Sequence, residues 1–180
     1  MKKLLVLILV LSIFTPVKAQ GGPVYLMIGA SNAANGYAAQ SFTEQTGVPV
    51  LLCAKGKTGL RHWMRGTSLF SSCMKQASSY QVIGLLFVNG EYEANTGLSW
   101  SYYFPLVVSA IRAKVGDVPV AFVEVHPQMP GRYVVKTRSQ QIVSGGCMVV
   151  PDDLYLPADN WHYLQPELSI IGVRLADCFR

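Results

Sequence analysis

Val24-Tyr25-Leu26-Met27-Ile28-Gly29-Ala30-Ser31-Asn32 is the stretch on which the fold turns. An unbroken apolar run of strand length ends in Gly-Ala-Ser-Asn, with no alternation of polar and apolar positions. Such a run reads as a strand buried on both faces, as in a parallel sheet. Comparable runs rich in Val and Ile recur at 48–54, 82–88, 118–125 and 147–150. Segments compatible with helices separate and follow them: the stretch after Ser31, then 69–78, 102–115, 134–143 and 166–178. In the last, Leu168, Ile171, Leu175 and Cys178 fall near helical spacing and Pro166 suits a first turn. The alternation predicts an α/β domain: a three-layer α/β/α sandwich around a mostly parallel, five-stranded sheet. Function in such sheets collects at the carboxyl ends of the strands.

The chemically capable residues stand at those ends. Ser31 directly follows strand one beside Gly29, where its hydroxyl suits a nucleophile and its N–H can face a developing oxyanion. Taken alone it also fits an ordinary helix N-cap. After strand two comes Lys55-Gly56-Lys57-Thr58-Gly59. Gly56 lets the backbone approach a substrate and present its N–H, or it marks a plain turn. The upstream Gly of a phosphate-binding P-loop is missing, so that reading is rejected. Asn89 closes strand three ahead of Gly90-Glu91 and offers a neutral amide donor for an oxyanion, or a turn residue. Glu91 and Glu93, two apart, have no further support as a glycosidase pair.

Asp159 and His162 lie three apart in Asp159-Asn160-Trp161-His162. That spacing on a loop lets the carboxylate hold one ring nitrogen while the other is free to take a serine proton. His126, after strand four, is the next candidate base, and His62 beside Trp63 is structural or substrate-facing.

Composition narrows the classes. The chain has 180 residues, 51% apolar and 14% charged, which suits one globular domain rather than a disordered chain. Two of the charges behind the net +5 are Lys2 and Lys3, and the remaining Lys and Arg are scattered. Nucleic-acid binding therefore has no support. Lys2 and Lys3, the apolar run 4–14 and Val17-Lys18-Ala19 read as a cleaved signal peptide over 1–19, with the domain at 20–180. The run is short for a membrane span, so no stable anchor is expected after processing, and the protein is expected to be secreted or periplasmic. The four remaining Cys, at 53, 73, 147 and 178, suggest two disulfides in an exported chain. Three pairings are possible in principle. Cys53 at the end of strand two and Cys73 on the next helix can meet across one layer, and Cys147 and Cys178 form a second local pair. No Cys or His spacing suggests a metal site.

Taken together, these blocks resemble the SGNH hydrolases, a flavodoxin-like fold family, and in particular their carbohydrate-acetylesterase branch of sialate O-acetylesterase-like proteins. The resemblance spans nearly the whole chain after residue 19. Gly29-Ala30-Ser31-Asn32 matches a Gly-Gln-Ser-Asn block, Gly56-Lys57-Thr58 with Trp63 a Gly-Gly-Thr block followed by Trp, and Asn89-Gly90-Glu91 a Gln-Gly-Glu block. Arg138 and Gln141 match an Arg and Gln after strand four. Asp159, His162 and the Ile-Gly-x-Arg-Leu-Ala segment 171–176 match the closing block, the most specific of all.

The departures are Ala30 for Gln, Lys57 for Gly and Asn89 for Gln. The resemblance implies a Ser31-His162-Asp159 triad and an oxyanion hole from the Ser31 and Gly56 N–H groups with the Asn89 amide. The implied reaction is hydrolysis of O-acetyl esters on sugars, with no metal or cofactor. Arg61, Trp63 and Glu91 are candidate substrate contacts, with a core position for Trp63 and a solvated Arg61 as the alternatives. A lipolytic or thioester hydrolase on the same fold, and a non-catalytic glycan-binding module, are the rival classes.

Overall fold

The computed structural model describes residues 21–159 and 161–180. The expected leader, residues 1–19, lies outside the described residues. The order of elements is β1 (Pro23–Gly29), α1 (Ser31–Ala34), α2 (Tyr37–Thr46), β2 (Val50–Ala54), a 3-10 turn (Leu60–Trp63) and α3 (Ser68–Ala77). Then come β3 (Gln81–Val88), α4 (Glu91–Thr96), α5 (Trp100–Val115), β4 (Val120–Val123), α6 (Val134–Ile142), β5 (Cys147–Val149) and α7 (Gln165–Asp177). The sheet is parallel throughout, in the order β2-β1-β3-β4-β5.

Each strand divides its side chains between two cores, as a period of two requires. Tyr25, Met27, Leu86, Ala121 and Val123 pack on one face with Ala38 and Phe42 of α2 and Leu168, Ile171 and Leu175 of α7. Leu26, Ile28, Leu85, Phe87 and Phe122 pack on the other with Phe70 of α3 and Phe104, Val107 and Ile111 of α5. Helices thus cover both faces, which explains why the strands read as continuous apolar runs. The α2 and α7 backbones come together at Gly172, where a Cβ would run into the carbonyl of Ala38.

The chain moves from β1 to β2 on one side, then crosses back to place β3 on the other side of β1. The carboxyl ends of β1 and β3 therefore border the crevice where strand order reverses, the usual ligand position in open α/β sheets. Two disulfides staple the layers. Cys53–Cys73 joins β2 to α3, and Cys147–Cys178 joins the edge strand β5 to the residue after α7.

Two elements differ from the sequence expectation. Strand β4 is shorter than 118–125; at its carboxyl end the Val125 N–H is taken by the Gln141 side chain at 2.9 Å rather than by a ladder partner. Helix α4 falls in a stretch to which the sequence pattern assigned no element.

Candidate active site

Three strand ends place the first residues of the site. Gly29 pairs with Ala54 on one side and Val88 on the other. The Ala30 N–H donates to the Val88 carbonyl at 3.1 Å and the Lys55 N–H to the Gly29 carbonyl at 3.1 Å. Ser31, Gly56 and Asn89 therefore leave the sheet along one edge. A Cβ on Gly56 would lie 3.9 Å from the Ser31 Cβ, so these two segments are in contact distance of each other. Asn89 is buried, and neither polar atom of its amide has a hydrogen-bond partner among the described residues. A buried amide left unpaired costs stability unless a ligand group engages it.

The fourth segment arrives from the loop between β5 and α7. His162 Nε2 lies 3.0 Å from Ser31 Oγ, and His162 Nδ1 lies 2.8 Å from Asp159 Oδ2. With Nδ1–H donating to the carboxylate, Nε2 presents its lone pair to the serine hydroxyl; the tautomer follows from the network. Asp159 Oδ1 accepts the Trp161 and His162 N–H groups at 3.0 and 3.2 Å, which curls the loop. The His162 hydrogen bond foremost, then that of Trp161 N–H, holds the Asp159 carboxyl below the usual carboxylate range.

Behind these groups lies a buried polar layer. Asn32, 1% exposed, donates to Glu91 Oε1 at 2.8 Å and to the Trp161 carbonyl at 3.1 Å, and accepts the Tyr163 N–H at 3.2 Å. Burial pushes the Glu91 carboxyl up, opposed by the Asn32 hydrogen bond. Glu93 is wholly buried, accepts the Leu60 N–H at 2.7 Å, and is pushed up to about 7 by that burial.

A cleft of about 420 Å³ opens over Ser31 and His162, walled by Ala30, Lys57, Tyr92 and Trp161. A larger hollow of about 650 Å³ includes Val120 and Cys147, the first residues of β4 and β5, and so lies at the opposite edge of the sheet. Lys57 is the one non-glycine residue with positive φ among the described residues, at 60°. Thr58 Oγ1 closes that loop on the Lys55 carbonyl at 2.6 Å. No group of three His, Cys, Asp or Glu side chains suited to a metal ion occurs among the described residues, and none of their helices is long and apolar enough to cross a membrane.

Several candidate contacts need correction. Trp63 does not line the cleft: it is 3% exposed and packs in the core with Leu60, Phe70 and Cys73. Its place in sequence, close behind the Gly56 loop, is equally consistent with either position, and burial decides it. Arg61 is exposed and lies over the Tyr92 ring, its Nη2 donating to the Tyr92 hydroxyl at 2.6 Å. It borders a neighbouring hollow with Lys55 and His62 rather than the cleft itself. Glu91 borders the cleft, with Oε1 held by Asn32 and Oε2 buried without a hydrogen-bond partner among the described residues.

His126 does not reach the site. Its Nδ1 accepts the Gln128 N–H and its Nε2 faces the Leu154 carbonyl. His62 Nδ1 accepts the Gly59 N–H at 3.0 Å, and the ring lies edge-on to Tyr92. Arg138 and Gln141 are frame: Arg138 ties Glu124 and Asp152 together, and Gln141 caps the end of β4. Tyr92, Trp161 and Asn32 are the site residues that sequence reasoning missed. The signal for each was adjacency to a residue it did single out.

Residues 27–180 match the family described as carbohydrate esterase, sialic acid-specific acetylesterase. Comparison with curated proteins finds no match. Among solved structures, the chain is similar to a protein from Arabidopsis thaliana at 20% identity and TM-score 0.69, over 79% of this chain and 66% of that one. A Slackia heliotrinireducens protein assigned to the SGNH hydrolases aligns at 15% identity and TM-score 0.67, over 89% of this chain and 100% of the other. Est24, a carbohydrate acetylesterase from Sinorhizobium meliloti, aligns at 12% identity and TM-score 0.59, over 86% and 96%. At these identities the structural likeness carries the fold.

Proposed function

This chain belongs to the sialic acid-specific acetylesterase family of carbohydrate esterases, and from that premise we propose that it removes O-acetyl groups from sugars or glycans with Ser31 as nucleophile. The observation that carries the reading is the pair of contacts at His162: 3.0 Å to Ser31 Oγ and 2.8 Å to Asp159. A nucleophile within reach of a base that a third group orients is the geometry acyl transfer needs.

In this mechanism Ser31 Oγ attacks the acetyl carbonyl carbon while His162 Nε2 takes the hydroxyl proton. Asp159 holds the ring and stabilises the imidazolium. The negative charge gathers on the carbonyl oxygen, between the N–H groups of Ser31 and Gly56 and the unpaired Asn89 amide. The tetrahedral species collapses, the C–O bond to the sugar breaks, and His162 returns the proton to the departing alcohol. Water, deprotonated by His162, then cleaves the acetyl-serine and releases acetate. Tyr92 and Trp161 supply apolar walls for the sugar.

We also read residues 1–19 as a leader removed on export to a secreted or periplasmic site. The two disulfides support an oxidising destination. Mass spectrometry of the exported protein should find a chain starting near Gln20, and a full-length chain held in membranes would refute it.

Acetate release from a panel of acetylated glycans, by wild type and Ser31→Ala, tests the reaction. On 4-nitrophenyl esters, kcat/KM should fall sharply from acetyl to butyryl to octanoyl. Preference for octanoyl would make the chain a lipolytic or thioester hydrolase, and no turnover of any ester would make it a glycan-binding module.

A further inference from the structure

We infer that Asn32 and Glu91 form a positioning strut that sets the distance between His162 and Ser31; this rests on the reading of Ser31 as nucleophile and His162 as base. His162 is on an exposed loop, and its own contacts are with Asp159, on the same loop, and Ser31. The Asp159 contact lies within the loop, and the Ser31 contact is the one whose distance has to be set. Asn32 holds the loop on both flanks of the histidine. Its Nδ2 donates to the carbonyl of Trp161, one residue before, and its Oδ1 accepts the N–H of Tyr163, one residue after. Asn32 is also the residue after Ser31, so a single peptide link connects the nucleophile to the clamp on the base.

Glu91 completes the device. An asparagine amide has two faces of opposite polarity, and reversing it would put an NH₂ against the Tyr163 N–H. The Glu91 carboxylate, 2.8 Å from Nδ2, takes the second amide proton and fixes the orientation that grips the loop. Glu91 is the first residue of α4, three positions beyond the last residue of β3, so the strut is grounded near the sheet edge. The contacts span 59 residues from Asn32 to Glu91 and 129 from Asn32 to Trp161, joining all three segments in one part-buried network. One oxygen of the side chain that the sequence offers as a substrate contact is thus turned inward.

The test uses the full domain and four substitutions. Asn32→Asp keeps the size and the acceptor for Tyr163 N–H but sets an oxygen against Glu91 and the Trp161 carbonyl. It should lower kcat on 4-nitrophenyl acetate by about 10²-fold or more with KM changed less than threefold. The rate of Ser31 labelling by a fluorophosphonate should fall in parallel. Glu91→Ala should lower kcat about 10-fold or more, and Glu91→Gln, which keeps an oxygen for the amide, should recover most of that loss. Asn32→Ala combined with Glu91→Ala should be no worse than Asn32→Ala alone, since the two act through one network.

A folded Asn32→Asp with wild-type kcat, or one whose loss lies in KM, overturns the strut. If Asn32→Asp does not fold, the Glu91 pair decides: Glu91→Ala at wild-type rate, or Glu91→Gln no better than Glu91→Ala, overturns it. Ser31→Ala and His162→Ala are the controls. Retained activity in either breaks the underlying reading instead, whereas their inactivity beside a fully active Asn32→Asp defeats the strut alone.

Discussion

Asp159 and His162 meet at 2.8 Å with their side chains 54% and 53% exposed. In a buried triad the orienting carboxylate acts in a low dielectric, and its loss costs roughly 10⁴-fold in kcat. Water around an exposed pair weakens the field at the imidazolium. Asp159→Asn should therefore cost about 10- to 10²-fold, while Ser31→Ala and His162→Ala each remove nearly all turnover with the fold intact. Rates on 4-nitrophenyl acetate, with circular dichroism on each variant, check this. A 10⁴-fold loss would mean that substrate binding dries the loop.

Asn89→Ala should lower kcat about 10²- to 10³-fold and leave KM nearly unchanged, since a donor aimed at the oxyanion matters most as charge develops. Removing a buried, unpaired amide should not lower the melting temperature. A KM effect at normal kcat would assign Asn89 to ground-state binding.

Lys57 holds a left-handed backbone that glycine adopts without strain. The conformation costs a side-chain-bearing residue about 1–2 kcal/mol, and the greater unfolded freedom of glycine returns about 0.5–1 kcal/mol of that. Lys57→Gly should stabilise the domain by roughly 0.5–1 kcal/mol. Urea unfolding measures it.

Glu93 binds its proton more tightly folded, at about 7, than unfolded, at 4.5. Below the lower value both states are protonated. Between the two, the unfolded chain loses its proton first, so this group's contribution falls as pH rises. Above about 7 the penalty is constant. Glu93→Gln keeps an acceptor for Leu60 N–H, so its melting temperature relative to wild type should rise from pH 4.5 to pH 8. A difference independent of pH would show that Glu93 holds its proton alike in the folded and the unfolded chain.

The Cys53–Cys73 and Cys147–Cys178 bonds close sequence separations of 20 and 31 residues. Each should stabilise by about 3 kcal/mol. Peptide mapping without reductant should recover these two pairs, and the Cys53→Ser, Cys73→Ser double variant should melt lower.

Much of the fold was legible because burial on both faces leaves strands without alternation. The starts of β1 to β4 shifted by a residue or two, and β4 lost its carboxyl end to the Gln141 amide, a partner that no local pattern reveals. Helix α4 is six residues long and carries Glu, Asn and Thr, so its composition resembles a turn. Ser31, Asp159 and His162 were legible because short spacings and strand ends mark them. Trp63 was not, since an aromatic near a loop reads the same whether it packs inward or faces the cleft. Asn32 was quoted in its block without a role, because its partners stand 59 and 129 residues away.

The packing of α2 against α7 at Gly172 also bears on how the proposed catalytic pair forms. Ser31 lies just ahead of α2 and His162 just ahead of α7, 131 residues apart in sequence. On that reading the serine meets its base only where α7 has closed on α2, so loosening this helix pair parts nucleophile from base.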